Sequence, residues 1–236
     1  TRPNRMNSLA KLGFSQSYTY FTWKNSWWEL RDYMTQLTQS EMVQYYRPNF
    51  FTNTPDILHE YLQRGGRSAF RVRLLLAATL AATYGIYSGF ELCENVPVRP
   101  GSEEYLDSEK YEIRVRDWNA PGNINQDVAR LNRIRRENPA LQRLDNLTFV
   151  PTDYENILAY LKSAPGNDLI VIVNLDPHTV HETKVHLPLS QLGLVEGQVF
   201  EVEDLLTGIR YTWSGSTNYV RLDPHERVGH VLRIVR

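Results

Sequence analysis

Residues 47–56 read RPNFFTNTPD and residues 68–87 read SAFRVRLLLAATLAATYGIY. The first stretch is a short aromatic run ending in turn chemistry, so Arg47–Thr54 reads as a β-strand. The second opens on Ser68, a good helix N-cap, and is apolar on nearly every side from Ala69 to Ala82, the pattern of a buried helix. Tyr84–Tyr87 then reads as another strand. Strand, buried helix, strand is a parallel crossover, and parallel sheets are covered on both faces. The flanks continue the alternation. Pro3 suits the first turn of a helix running to Leu12, with Gly13 as its stop. SYTYFTW at Ser17–Trp23 reads as a strand, and Asn25 or Ser26 caps a helix over Trp27–Gln39. Asp127–Gln142 is amphipathic, with Val128, Leu131, Ile134 and Leu141 on one stripe. Three parallel strands alone would expose a sheet that needs covering, so this half reads as the last portion of a (β/α)8 barrel.

Past residues 142–146 the pattern changes. Thr148–Val150, Ile157–Lys162, Leu169–Leu175, Thr183–Leu187, Val199–Asp204, Tyr211–Ser214, Tyr219–Leu222 and Gly229–Val235 all read as strands. Short strands at this spacing with turn signals between them point to an antiparallel β-sandwich. The expected layout is α/β plus all-β. Residues 1–145 form the C-terminal portion of a barrel, and 146–236 form a sandwich domain.

Composition narrows the function. The 236 residues carry a net charge of −1, which leaves no basic footprint for nucleic acid. A single cysteine, Cys93, excludes a disulfide scaffold and fits a reducing compartment, hence a cytoplasmic location. The most apolar run, Leu74–Ala82, is about half of the roughly 20 residues a membrane span needs, so no membrane is expected. The chain starts Thr1-Arg2-Pro3, without Met or leader, and reads as beginning within an element.

Barrel active sites lie at the C-terminal ends of the strands. That places Asp56, just after the strand ending at Thr54, as a carboxylate facing the barrel mouth; the competing reading is a helix N-cap. The aperiodic stretch Ser88–Asn125 is too long for an ordinary connection. It holds Lys110 and Tyr111, a donor and an aromatic face side by side, within a charge run that also reads as a solvated surface. His178, His181 and His186 have no partners at zinc spacing, and no phosphate loop or G-x-S-x-G element is present. Cys93 has no nearby histidine and reads as a structural thiol. Trp213 and Tyr219 read as strand packing, or else as a sugar-binding face.

Asn49-Phe50-Phe51, Asn53-Thr54-Pro55-Asp56, the run from Tyr84 to Asn95 (YGIYSGFELCEN) and the run from Gly101 to Glu112 (GSEEYLDSEKYE) resemble the maltose-1-phosphate-dependent maltosyltransferases of the alpha-amylase superfamily. Thr1-Arg2-Pro3, Asn174–His178 and Asp204–Gly208 are similar as well. The resemblance implies a retaining transferase that moves maltosyl from maltose 1-phosphate to the non-reducing end of an alpha-1,4-glucan, in glycogen-like polymer synthesis. Asp56 would then be the transition-state-stabilising carboxylate, and Lys110 and Tyr111 the residues binding the maltosyl group. It implies no metal or cofactor, and a homodimeric parent enzyme. Thr54-Pro55 stand where many amylases have a histidine before the aspartate. Retention needs a nucleophile and an acid/base about 5–5.5 Å apart. By the resemblance both precede residue 1, so the chain alone is expected to be inactive. The alternatives are another amylase-type hydrolase or transglycosidase, and a non-catalytic carbohydrate-binding or structural module.

Overall fold

A computed structural model describes residues 2–110 and 112–235. Helix α1 (Pro3–Lys11) starts with proline in its first turn and leads into β1 (Ser17–Tyr18). The predicted strand to Trp23 stops there. Thr19 Oγ1 accepts the Phe21 N–H, and Tyr20–Trp23 turn into a 3-10 helix. Composition favoured a strand, but Arg73 reaches across from the next crossover. Its guanidinium bonds the carbonyls of Phe21 (2.6 Å) and Lys24 (2.5 Å) and lies 3.8 Å from the Phe21 ring centre. Arg73 is 1% exposed, and burial lowers its pKa to about 9.

Helix α2 (Trp27–Gln39) carries a complete capping box, in which Ser26 and Glu29 bond each other's backbone N–H. After α3 (Met42–Tyr45) comes β2 (Pro48–Phe51), then α4 (Glu60–Arg64), α5 (Gly66–Leu80) and β3 (Thr83–Gly85). Ser68 does not cap α5. Gly65 ends one helix and precedes the other, with no room for a Cβ against Ala69 and the Tyr61 carbonyl, while Ser68 Oγ donates to Pro224 O across the molecule. The strands β1, β2 and β3 form a parallel sheet in that order, with Tyr18 opposite Asn49 and Phe50 opposite Tyr84. Helix α6 (Asn125–Glu137) ends earlier than its apolar stripe suggested. A residue before proline is pushed out of helical geometry, so Asn138 is extended and Pro139–Gln142 forms a separate 3-10 turn.

All eight antiparallel strands are present: β4 (Leu147–Val150), β5 (Ile157–Ala164), β6 (Asn167–Asn174), β7 (His181–His186), β8 (Val199–Asp204), β9 (Arg210–Ser214), β10 (Thr217–Leu222) and β11 (Gly229–Val235). Six form one sheet, ordered β4-β5-β6-β11-β8-β9, and β7 pairs with β10 in a second. One face of the large sheet closes on the small one over Ile157, Ile170, Val202, Val185 and Leu222. The other face lies on α5. There Leu158, Tyr160, Val171 and Val231 join Leu74, Leu75 and Ala78 in a single core. This two-sided burial explains why β5 and β6 read as continuous apolar runs. Tyr160 Oη meets Thr79 Oγ1 at 2.5 Å, and Tyr61 Oη donates to Leu175 O at 2.7 Å, so polar contacts also cross the joint. Of the two aromatics weighed earlier, Trp213 is buried beside Phe200, but Tyr219 is exposed, because its position on β10 faces away from the sandwich core. Among the described residues no helix is long and apolar enough to cross a membrane.

Candidate functional site

The C-terminal ends of β1, β2 and β3 meet the long loop from Ser88 to Asn123, and hydrogen bonds fix how. Asn53, fully buried just past β2, is the hub. Its Nδ2 donates to Tyr105 Oη (2.8 Å), while its Oδ1 accepts from the Tyr87 N–H (2.9 Å) and from Thr52 Oγ1 (3.0 Å). One amide thus joins β2, the segment after β3 and the long loop. Burial raises the Tyr105 hydroxyl pKa, so it stays neutral. From the 3-10 turn after β1, Trp23 Nε1 donates to Glu103 (2.9 Å), and from the segment after β2 the Leu58 N–H donates to Glu103 O (2.5 Å).

Asp56 sits on the turn closed by the Thr54–Ile57 bridge. It is not a helix cap, since His59 caps α4 by accepting the Tyr61 N–H on Nδ1. The Asp56 side chain is 62% exposed, and Lys110 Nζ donates to its Oδ1. Lys110 also lies 3.5 Å from Glu104. Two candidates named separately from the sequence, 54 positions apart, are therefore in direct contact. Tyr111, the third, lies outside the described residues.

The loop that carries Lys110 is held by a buried cation. Arg116, with a side chain 2% exposed, bonds Glu94 (3.0 Å) and Glu109 (2.8 Å). Burial pulls its pKa down, but the bonds from the two carboxylates outweigh it and raise the pKa above the usual arginine value. The Glu109 N–H donates to Tyr87 Oη (2.8 Å), anchoring the residue next to Lys110. Gly89 (φ +92°) is needed here, because a Cβ would strike the Glu94 carboxylate. Sequence reading missed Asn53 as a hub, and it missed Arg116 entirely. The one available signal was their place beside Asp56 and Lys110 in otherwise aperiodic segments.

Beside Asp56 is an open hollow of about 360 Å³, lined by Tyr18, Tyr20, Trp23, Phe51, Thr54 and Ile57. Tyr18 and Phe51 stack at 4.8 Å, and Tyr18, Phe14 and Leu12 are exposed. These aromatic faces and Asp56 suit a polyhydroxyl ligand that develops positive charge. Cys93 contributes no nucleophile, because burial raises its thiol pKa to about 11. His181 is engaged by Asp176 (3.0 Å) and His186 by Asp153 (2.7 Å). Among the described residues no group of three or more His, Cys, Asp or Glu could hold a metal ion.

A family model described as "GLGE, C-terminal" matches residues 149–234. The alpha-1,4-glucan:maltose-1-phosphate maltosyltransferase 1 of Streptomyces coelicolor is 55% identical over 240 residues, which is 100% of this chain and 35% of that protein. The maltosyltransferases of Chlorobaculum tepidum and Corynebacterium glutamicum are 47% and 52% identical over 99% and 98% of the chain, and 36% and 35% of their own lengths. The chain thus spans about a third of the length of these relatives. Among solved structures, an alpha-amylase from Geobacillus thermoleovorans complexed with acarbose superposes with a TM-score of 0.68, at 16% identity, covering 100% of this chain and 51% of that one. An Anoxybacillus alpha-amylase also scores 0.68, at 13% identity, covering 99% and 50%. The fold is that of the last part of an amylase barrel with the β-sandwich that follows it.

Proposed function

We propose, for a chain homologous over its whole length to the alpha-1,4-glucan:maltose-1-phosphate maltosyltransferases, that it supplies one wall of a retaining maltosyl-transfer site. The observation that carries this reading is the contact between Lys110 and Asp56 at the C-terminal end of β2. Residues 1–145 serve as the closing part of the barrel and 146–236 as its sandwich domain. The donor is maltose 1-phosphate, the acceptor is an alpha-1,4-glucan, and the compartment is the cytoplasm.

Retaining transfer passes through an oxocarbenium-like transition state flanked by a nucleophile and an acid/base. Asp56 acts there as a fixed anion beside the developing positive charge, an electrostatic role. Lys110 and Tyr111 hold the maltosyl group. In the resting chain Lys110 rests on Asp56, and an exposed ion pair of this kind is worth only about 0–1 kcal/mol. Sugar hydroxyls therefore displace it at small cost. Its function is to keep both side chains aimed at one point, with Asn53 and Arg116 holding the two backbones. The exposed apolar side of α1 and β1 supports packing against further barrel strands, because an open parallel sheet is otherwise unstable. Among the described residues no carboxylate is assigned the nucleophile or acid/base role, and the 236 residues alone are expected to show no maltosyl transfer.

The kinetic test uses the full maltosyltransferase. Lys110→Met removes donor binding and raises the KM for maltose 1-phosphate about tenfold or more, with a smaller change in kcat. An unchanged KM refutes the donor-binding role. The alternative of plain hydrolysis predicts reducing-sugar release from glucan without any need for the phosphorylated donor.

A further inference from the structure

A second sugar-suited surface lies on the seam between the two halves of the molecule. The N-terminal turn of α2 faces the β4–β5 connection and the segment after β6 across an open groove of about 490 Å³, a size typical of ligand clefts. Trp28 stands on one wall with 64% of its surface exposed. Trp27 buttresses it edge-on, with ring centres 4.7 Å apart and planes at 84°. Arg31 in turn lies 4.8 Å from the Trp27 ring centre, so Trp27 is occupied and Trp28 is presented. Leu175 and Pro177 add apolar surface opposite.

Polar groups converge on the same groove. Glu155 and Asn156 are exposed on the sandwich side, and no hydrogen bond or ion pair holds the Glu155 side chain among the described residues. On the other side, Asn25 Nδ2 is used by Thr22 O and His59, but its Oδ1 is buried without a partner. That oxygen has essentially no exposed surface, so the exposed Glu155 and Asn156 side chains are the groups that meet a ligand. The charge balance is one-sided. Among the described residues lining the groove, three are carboxylates (Glu29, Glu155 and Asp176) and none is Lys or Arg. That disfavours phosphorylated or anionic ligands and leaves a neutral polyhydroxyl chain. Its C–H face stacks on the Trp28 ring, and its hydroxyls bond the amide and carboxylate groups.

We propose that this groove is a glucan-holding site separate from the Asp56–Lys110 site, taking an internal stretch of a linear neutral alpha-1,4-glucan against Trp28. The choice of glucan rests on the transfer reading given above; the aromatic-plus-acceptor chemistry does not. A site of this kind keeps a long acceptor on the protein between transfers by raising its effective concentration.

The test is binding of maltoheptaose to the full protein, followed by tryptophan fluorescence and calorimetry. Trp28→Ala weakens this binding at least tenfold, while Trp28→Tyr, which keeps a stacking face, restores most of it. Maltoheptaose bound as acceptor at the transfer site counts as a separate site, which Trp28→Ala keeps. Transfer from maltose 1-phosphate onto maltotetraose is the same in Trp28→Ala as in the parent, and transfer onto a long glucan slows. An unchanged number of maltoheptaose sites in Trp28→Ala overturns the proposal. Binding that depends on Trp28 in a protein without transferase activity upholds this site and refutes the transfer reading.

Discussion

Replacing Asn53 by alanine tests whether the site is held from below by a single amide. Asn53 has no exposed surface, and its side chain makes three hydrogen bonds, to Tyr105 Oη, the Tyr87 N–H and Thr52 Oγ1, at 2.8–3.0 Å. Truncation strands the backbone donor of Tyr87 and removes the donor to the Tyr105 hydroxyl, whose residue is 3% exposed. Thr52 recovers by rotating its hydroxyl. An unmet buried polar group costs about 1–3 kcal/mol, so two such groups cost about 2–6 kcal/mol. For a chain of this size each kcal/mol moves the midpoint by about 2–4 °C. Thermal unfolding of Asn53→Ala is therefore expected about 4–24 °C below the parent, with the loop from Ser88 to Asn123 becoming sensitive to limited proteolysis. A midpoint within 1 °C of the parent and an unchanged cleavage pattern would refute the hub.

Arg116→Met leaves the largely buried Glu94 carboxylate with only Arg114 at 3.4 Å and releases Glu109, so the cost stays below the about 3–5 kcal/mol of a buried charge left with no partner. Amide exchange is then expected to speed up across the long loop while the β5–β6 ladder keeps its protection; uniform protection contradicts the clamp. Lys162 is fully buried, with Nζ on Arg143 O at 2.5 Å, and burial together with the nearby Arg135 charge lowers its pKa to about 7. Between about pH 7 and pH 10 the unfolded chain holds a proton that the folded chain lacks, so this group makes stability rise with pH over that window and adds no slope below it. Comparing urea midpoints of the parent and Lys162→Met at pH 7 and pH 9.5 checks the sign. A variant with the same pH slope as the parent removes the assignment.

The elements most legible in the sequence were those where local and tertiary signals agree. Asn25 or Ser26 announced α2 as its cap, and the structure chooses Ser26, which forms a capping box with Glu29. The apolar runs of α5, β5 and β6 were legible because both faces of each are buried. Errors fell where a distant partner decides the local structure. Ser17–Trp23 has strand composition, yet Arg73 captures the Phe21 and Lys24 carbonyls and stabilises a 3-10 turn. Ser68 is a good cap by type, yet its hydroxyl serves Pro224. The place of Asp56 followed from a strand and a Pro turn. Its contact with Lys110 did not, because the intervening loop has no periodicity and owes its shape to Asn53, Arg116 and Gly89.

In the proposed function Asp56 acts on the charge of the transition state. The most direct measurement is kcat for maltosyl transfer from maltose 1-phosphate by the full enzyme carrying Asp56→Asn, a change that keeps shape and removes charge. Loss of a preorganised electrostatic stabiliser costs about 10²–10³ in kcat. A fall of that size is expected, with the midpoint of unfolding unchanged because the residue is exposed. A kcat within threefold of the parent would contradict it.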